Sequence, residues 1–474
     1  MDSHHPSPIT CHLRKMKIII CGAGQVGTSI AKYLSMEGND VTVIDQSPEL
    51  ISKISDNLDV KVYVGFASHP TVLEEVGAAS ADMIIAVTKS DEVNMVACQV
   101  AHSLFNIPTK IARIRNQNYL QPEWKKLYRH DHLPIDFIIS PEQAVAEAVI
   151  HRLHVPGAVD TIPFADGRIK VVGMRCTLDC PMVNMLLYRI QNKVIPINVS
   201  ILGVMRGDNF MVISDGVELL EDDELYFACD TKNVQDAMAM FGHEEREARR
   251  IIIVGGGNIG LFLAQYLEKE APDVKVKLIE LNRERAEYIA ENLERTTVIN
   301  GDALSQEILD EANVAVSETV IAVSNDDEVN ILVSLLSKRF GCQRVVALVN
   351  NTASYSPLVS SLGIDVAVNP REITVSGILQ HIRSGRILSA HSICKGKAEI
   401  IEAEAVELSH IVGKNIGELN LPHGIIVGLI LRGDLVILPD DDSVIQAKDR
   451  IIILCQASMV KKVEAVFSVK FEFF

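Results

Sequence analysis

The sequence predicts an α/β protein made of two open units with doubly wound parallel sheets, each followed by a small β-rich α+β unit. Three observations carry this. Strand-length apolar runs alternate with helical patterns from Met16 to Ser140, and the same string of landmarks returns in the second half. After each copy the texture changes to short apolar runs punctuated by turn pairs.

The first unit, residues 16–140, opens with the strand KIIIC, a helix from Gly24 to Met36, the strand VTVID, a helix over Pro48 to Asn57 and the strand VKVYVG. The loop FASHP leads to a helix over Thr71 to Val76, the strand ADMIIAVT, the helical stretch KSDEVNMVACQVAHSLF, and the last strands in KIARIR and IDFIIS. Continuous Ile and Val runs suit strands covered by helices on both faces. In the second copy, residues 249–370, Gly22 maps to Gly255, Asp45 to Glu280, Thr88 to Ser324, Asn94 to Asn330 and Pro141 to Pro370. The offsets drift only between 229 and 236 residues, as short loop insertions would make them.

The first β-rich unit, residues 155–241, holds IKVVGMR, VIPINVSILGVMR and ELYFACD, the turn pairs Gly207-Asp208 and Asp215-Gly216, and a closing helix over Val234 to Phe241. Residues 386–470 repeat it, with Arg206-Gly207-Asp208 mapping to Arg432-Gly433-Asp434 and Asp223 to Asp449. The charged stretch Gly242 to Arg250 joins the halves. Residues 1–15 read as a flexible N-terminal extension; they lack the apolar segment of a signal peptide.

A length of 474 residues and an apolar content of 48% allow several packed cores. The formal charge of −17 argues against a general nucleic-acid binder, which needs a basic face for phosphates. Nine scattered cysteines without a Cys-x-x-Cys pair suggest reduced thiols in a cytoplasmic protein, and no zinc is expected at Cys176 and Cys180. The longest apolar runs, Val194 to Met205 and His423 to Leu431, are strand-length pieces that end at Arg206 and Arg432, so no membrane span is expected.

Chemistry concentrates in the two glycine turns. Gly22-Ala23-Gly24-Gln25-Val26-Gly27 stands between a strand and a helix, and Gly255-Gly256-Gly257-Asn258-Ile259-Gly260 repeats it. This is the Rossmann-like fingerprint: a tight turn, backbone that lets a pyrophosphate approach, and a helix packed close on its strand. Asp45 and Glu280, at the ends of the second strands, can accept hydrogen bonds from ribose hydroxyls and would repel a 2′-phosphate, favouring NAD or NADH over NADP. Thr88 and Lys89, with Ser324 and Asn325 in the second copy, follow the fourth strand, where an open α/β sheet forms its crevice. Thr88 could equally cap the next helix with Asp91. Arg113 could fork a pyrophosphate or make an ion pair at the sheet edge; its counterpart is Leu348, with Asn350 nearby. His69, His130 with His132, and His151 with His154 come without partner motifs, so neither catalysis nor a metal site is expected.

GAGQVG, Asp45, the stretch from GFASHP to SLFN, IARIR and the β-rich unit together resemble the regulator of potassium conductance (RCK) module. Two modules in one chain resemble the peripheral subunits of bacterial Trk potassium-uptake systems. The resemblance covers residues 16 to about 470. It implies a regulatory subunit that is not an enzyme and that binds NAD or NADH, with ATP or ADP as possible ligands of the same sites. Such subunits sit at the cytoplasmic face of the inner membrane, form dimers or tetrameric rings, and gate an integral-membrane potassium channel subunit. It also implies nucleotide contacts at Gly22, Ala23, Gly24, Gln25, Val26, Asp45, Thr88, Lys89 and Arg113, and in the second half at Gly255, Gly256, Gly257, Asn258, Ile259, Glu280, Ser324 and Asn325. The alternative is an NAD-dependent oxidoreductase whose catalytic residues carry no recognisable motif.

Overall fold

The computed structural model describes residues 15–191, 197–207, 209–213, 216–350, 362–382, 387–407 and 411–467, with 355, 359 and 409. Residues 1–14 of the expected extension, residues 194–196, Asp208, Asp215, residue 386 and residues 468–470 lie outside the described residues.

Strands β1 (Lys17–Cys21), β2 (Asp40–Asp45), β3 (Lys61–Val64), β4 (Met83–Ala86), β5 (Thr109–Arg113) and β6 (Phe137–Ile139) form one parallel sheet in the order β3-β2-β1-β4-β5-β6. The order reverses between β1 and β4, which opens a crevice at the carboxyl ends of those strands. Helices α1 (Gln25–Met36), α2 (Pro48–Asn57), α3 (Pro70–Glu75) and α4 (Asp91–Phe105) connect them. Gly24 is the cap of α1 rather than its first residue, and α3 starts at Pro70, where a proline lacks only an N–H that would have had no partner.

The second sheet repeats the order with β12 (Arg250–Val254), β13 (Lys275–Glu280), β14 (Thr297–Asn300), β15 (Thr319–Ala322), β16 (Arg344–Leu348) and β17 (Val366–Val368). Its helices are α8 (Asn258–Glu270), α9 (Arg283–Glu291), α10 (Gln306–Ala312) and α11 (Asp327–Arg339). Each parallel sheet is followed by a five-stranded antiparallel sheet. The first contains β7 (Ala158–Phe164), β8 (Ile169–Arg175), β9 (Val199–Arg206), β10 (Asn209–Val212) and β11 (Glu224–Asp230), and its unit carries the short helix α6 (Leu187–Arg189) and the closing helix α7 (Val234–Met240). The second contains β18 (Ile387–Ile393), β19 (Ala398–Glu404), β20 (Ile425–Arg432), β21 (Leu435–Ile437) and β22 (Arg450–Gln456), with the same topology.

In the first small sheet Arg206 forks the buried carboxylate of Asp223 at 2.8 Å through both Nε and Nη2. Arg432 holds Asp449 in the same way, at 2.9 and 2.8 Å. The two small sheets also meet each other. Leu202 and Tyr226 share a core with Leu429 and Leu454, Arg168 pairs with Asp434 at 2.9 Å, and Arg450 bridges Glu402 and Asp166.

The halves are joined by an exchange of helices. Helix α5 (Pro141–Leu153) leaves the first sheet and buries Val145, Val149 and Ile150 against Ile253, Leu263 and Leu278 of the second. Helix α12 (Pro370–Gln380) leaves the second sheet and buries Val375, Ile378 and Leu379 against Ile18, Ile20, Ile30 and Leu34 of the first. Each fully buried aliphatic side chain contributes roughly 1.5–3 kcal/mol, so the exchange ties the stability of one half to the other. Ile378→Ala should therefore cost about 2–4 kcal/mol in urea unfolding and shift the signals of both halves together.

Candidate functional site

Both glycine turns are shaped by the same close approaches. Gly22 has φ +113° and Gly255 φ +102°, a region that favours glycine, and a Cβ on either would press to within 2.8–3.0 Å of the backbone after β4 or β15. A Cβ on Gly27 would stand 1.8 Å from the Gly22 carbonyl oxygen, and one on Gly260 2.0 Å from that of Gly255. The middle glycines differ. Around Gly24 and Gly257, which cap α1 and α8, a Cβ would meet nothing within 4 Å. That open space lies over helix N-termini, where free N–H groups and the helix dipole favour an anion.

The two carboxylates have a second task that their spacing does not announce. Asp45 accepts from the Ala23 N–H at 2.7 Å and the Ser47 N–H at 2.9 Å, clamping the glycine turn to the end of β2. Glu280 does the same with Gly256 N–H at 2.6 Å and Asn282 N–H at 2.8 Å. A carboxylate oxygen has two lone pairs, so both groups keep capacity for ribose hydroxyls.

At the switch point a buried asparagine fixes the loop. Asn94 Oδ1 accepts from Thr88 N–H at 2.8 Å and Thr88 Oγ1 at 2.7 Å, while its Nδ2 donates to the Arg113 carbonyl at 2.9 Å. Asn330 repeats this with Ser324 N–H at 2.9 Å, Ser324 Oγ at 2.8 Å and the Leu348 carbonyl at 3.0 Å. Leu348 is thus the spatial counterpart of Arg113. The expected Thr88–Asp91 capping pair does not form. Ser90 caps α4 by accepting from Val93 N–H, and Asp91 turns instead to the N–H groups of Arg115 and Asn116 at 2.9 and 2.8 Å, because its carboxylate faces the chain leaving β5.

Arg113 Nη2 donates to the Thr88 carbonyl at 2.7 Å, and its Nε is buried with no partner. Burial, reinforced by Arg115, pulls its pKa below the usual arginine value against the pull of Glu142 and Asp91. The expected sheet-edge ion pair is made instead by Arg115, with Glu142 at 3.1 Å.

One cavity of about 1050 Å³ runs along both turns. The first half places Gly22, Gly24, Gln25 and Val26 on its wall, with Asp45, Thr88, Lys89 and Arg113. The second half places Gly257, Asn258, Ile259 and Asn325 there. Ala23 is buried behind the turn, its N–H held by Asp45, and Gly255, Gly256, Glu280 and Ser324 build the second turn without lining the cavity. Sequence reasoning missed Phe66, Arg115, Glu142, Arg285 and Arg371, all on the wall. Arg285 donates to the Gly256 carbonyl at 2.7 Å and lies over the Tyr288 ring at 4.9 Å. The open cradles at Gly24 and Gly257 and the orphaned Arg113 Nε fit a ligand carrying a pyrophosphate. Among the described residues no cluster of three or more His, Cys, Asp or Glu side chains could hold a metal ion, and no helix is long and apolar enough to cross a membrane.

Fold and site together define a tandem dinucleotide-type protein, two Rossmann-like units sharing one cleft. The TrkA-N domain family matches residues 18–141 and 251–370, and the TrkA-C domain family matches residues 400–468. The Trk system potassium uptake protein TrkA of Azorhizobium caulinodans is 49% identical, covering 97% of this chain and 100% of that protein. Its namesake from Halomonas elongata is 39% identical over the same shares. The chain belongs to the TrkA family of Trk system potassium uptake proteins. The crystal structure of the GsuK RCK domain resembles it with a TM-score of 0.58 at 18% identity, covering 98% of each chain. The GsuK channel bound to NAD gives 0.58 at 18% identity, covering 98% of this chain and 81% of that one. At such identity these likenesses speak for the fold alone.

The two kinds of glycine should separate in a stability measurement. Gly27→Ala forces backbone against backbone and should lose about 1–3 kcal/mol in urea unfolding, whereas Gly24→Ala should stay within about 0.5 kcal/mol of the parent.

Proposed function

We propose that this chain is the nucleotide-sensing regulatory subunit of a Trk-type potassium uptake system. NAD or NADH, and in competition ATP or ADP, binds over the glycine turns, and the chain passes the change to an integral-membrane potassium channel subunit. The observation that carries the reading is the pair of open cradles at Gly24 and Gly257 on one cavity, each over a helix N-terminus. The relatives named for potassium uptake support the system, and the name of the GsuK channel bound to NAD supports the ligand class.

In this reading residues 16–140 and 249–370 are the nucleotide-binding units, and residues 155–241 and 386–470 the accompanying β-rich units. Gly22, Gly24, Gln25, Val26, Asp45, Thr88, Lys89 and Arg113 contact the ligand in the first half, with Ala23 holding the turn to Asp45 behind them. In the second half Gly257, Asn258, Ile259 and Asn325 face the ligand, and Gly255, Gly256, Glu280 and Ser324 shape the site behind them; Leu348 offers no charge there and affinity is lower. The chain binds without turnover and sits, as a dimer or tetrameric ring, on the cytoplasmic face of the inner membrane beneath its channel. A ligand does work on that channel only through its different affinity for two arrangements of the paired units.

Calorimetric titration of the purified chain tests this. NADH should bind saturably, NADPH at least about tenfold more weakly because Asp45 repels its 2′-phosphate, and Arg113→Ala should weaken NADH by about tenfold or more. Steady oxidation of NADH by an added acceptor would favour an oxidoreductase instead.

A further inference from the structure

We infer that Arg371, supplied by the second half, is a phosphate contact of the nucleotide held at the first half's glycine turn. The inference rests on the nucleotide-binding reading above and assigns it a residue from the opposite half of the chain.

Arg371 stands in the first turn of α12, on the wall of the shared cavity. Its Nη2 donates to Gln25 Oε1 at 2.7 Å and to the Asn350 carbonyl at 3.3 Å, and its Nε is buried without a partner. Among the described residues every acceptor of this guanidinium is neutral. A partly buried cation with only neutral acceptors and a spare buried donor is a site that an anion completes.

Its place in the helix sharpens the point. The first turn of a helix carries a partial positive charge, so arginine there is disfavoured by the dipole. The first half shows what the fold itself asks for: the equivalent residue is Glu142, which suits the dipole and pairs with Arg115. Arg371 reverses that charge, while Arg113 and Arg115 of the first half become Leu348 and Asn350 in the second. The first-turn carboxylate here is Glu372, one place further on, which accepts from Asn369 Nδ2 at 2.9 Å. A cation that breaks the local rule with no carboxylate among its acceptors in the described residues is explained by a ligand.

The geometry points to the first turn. Helix α12 is packed into the first half's core through Val375, Ile378 and Leu379, and Gln25, the residue that Arg371 touches, is the first residue of α1. A phosphate over the α1 N-terminus would take the guanidinium from Gln25.

The test uses the full chain carrying Gly257→Val, so that only the first cradle stays open, titrated with adenosine, AMP, ADP and ATP. Adding Arg371→Gln should leave adenosine affinity unchanged and weaken ADP and ATP by about tenfold or more, and Arg371→Lys should restore part of the loss. Equal ADP affinity with and without Arg371→Gln overturns the proposal. So does an equal loss for adenosine and ADP, which would make Arg371 a prop for the turn, and so does a loss seen only in a Gly24→Val chain. If the Gly257→Val parent binds none of the four, the nucleotide-binding reading fails first and takes this one with it.

Discussion

The exchange of α5 and α12 is the constraint on which the rest of the structure depends. Each helix continues directly from the last strand of one parallel sheet and completes the core of the other, so Val149 is packed with Ile253 and Ile378 with Ile20. This seating faces the two switch points toward each other and makes one cleft from two crevices. Because interiors are close-packed, a shift of either helix is felt by the sheet it covers. A displacement at one turn therefore has a mechanical route to the other that needs no moving loop.

Within that frame the polar contacts are repeated with little change. Asp45 and Glu280 clamp their turns, and Asn94 and Asn330 tie the loop after the fourth strand to the backbone of the fifth. In the small sheets the forks of Arg206 on Asp223 and Arg432 on Asp449 recur in the same form. These contacts satisfy backbone donors or buried charges that would otherwise carry a desolvation cost, so each copy had reason to keep them. What diverged are the groups facing the cleft: Arg113 against Leu348, Arg115 against Asn350, Glu142 against Arg371.

Much of this was legible in the chain. Period and glycine spacing gave the parallel sheets, because strand burial and turn sterics act within a few residues. The repeat offset located Leu348 opposite Arg113, and the shared asparagine bond bears that alignment out. Other features depend on distant contacts and were out of reach. Pro141 and Pro370 mark helix starts, yet nothing local says that each helix covers the other sheet. The capping role given to Thr88 went instead to Ser90, since Asn94 claims the Thr88 hydroxyl through a six-residue loop. Arg371 escaped notice because its neighbours on the cleft, Gln25 and Asn350, lie 346 and 21 residues away in sequence.

The covalent joint between the halves, Gly242 to Arg250, permits something that two identical molecules cannot have. In a symmetric pair of separate chains every substitution strikes both sides of the dyad at once, and a cation gained at one crevice is gained at its mirror image. Fusing the pair into a single polypeptide releases that bond. One side could keep Arg113 while the other traded it for Leu348, and the lopsided cleft that results has two chemically different walls within one molecule.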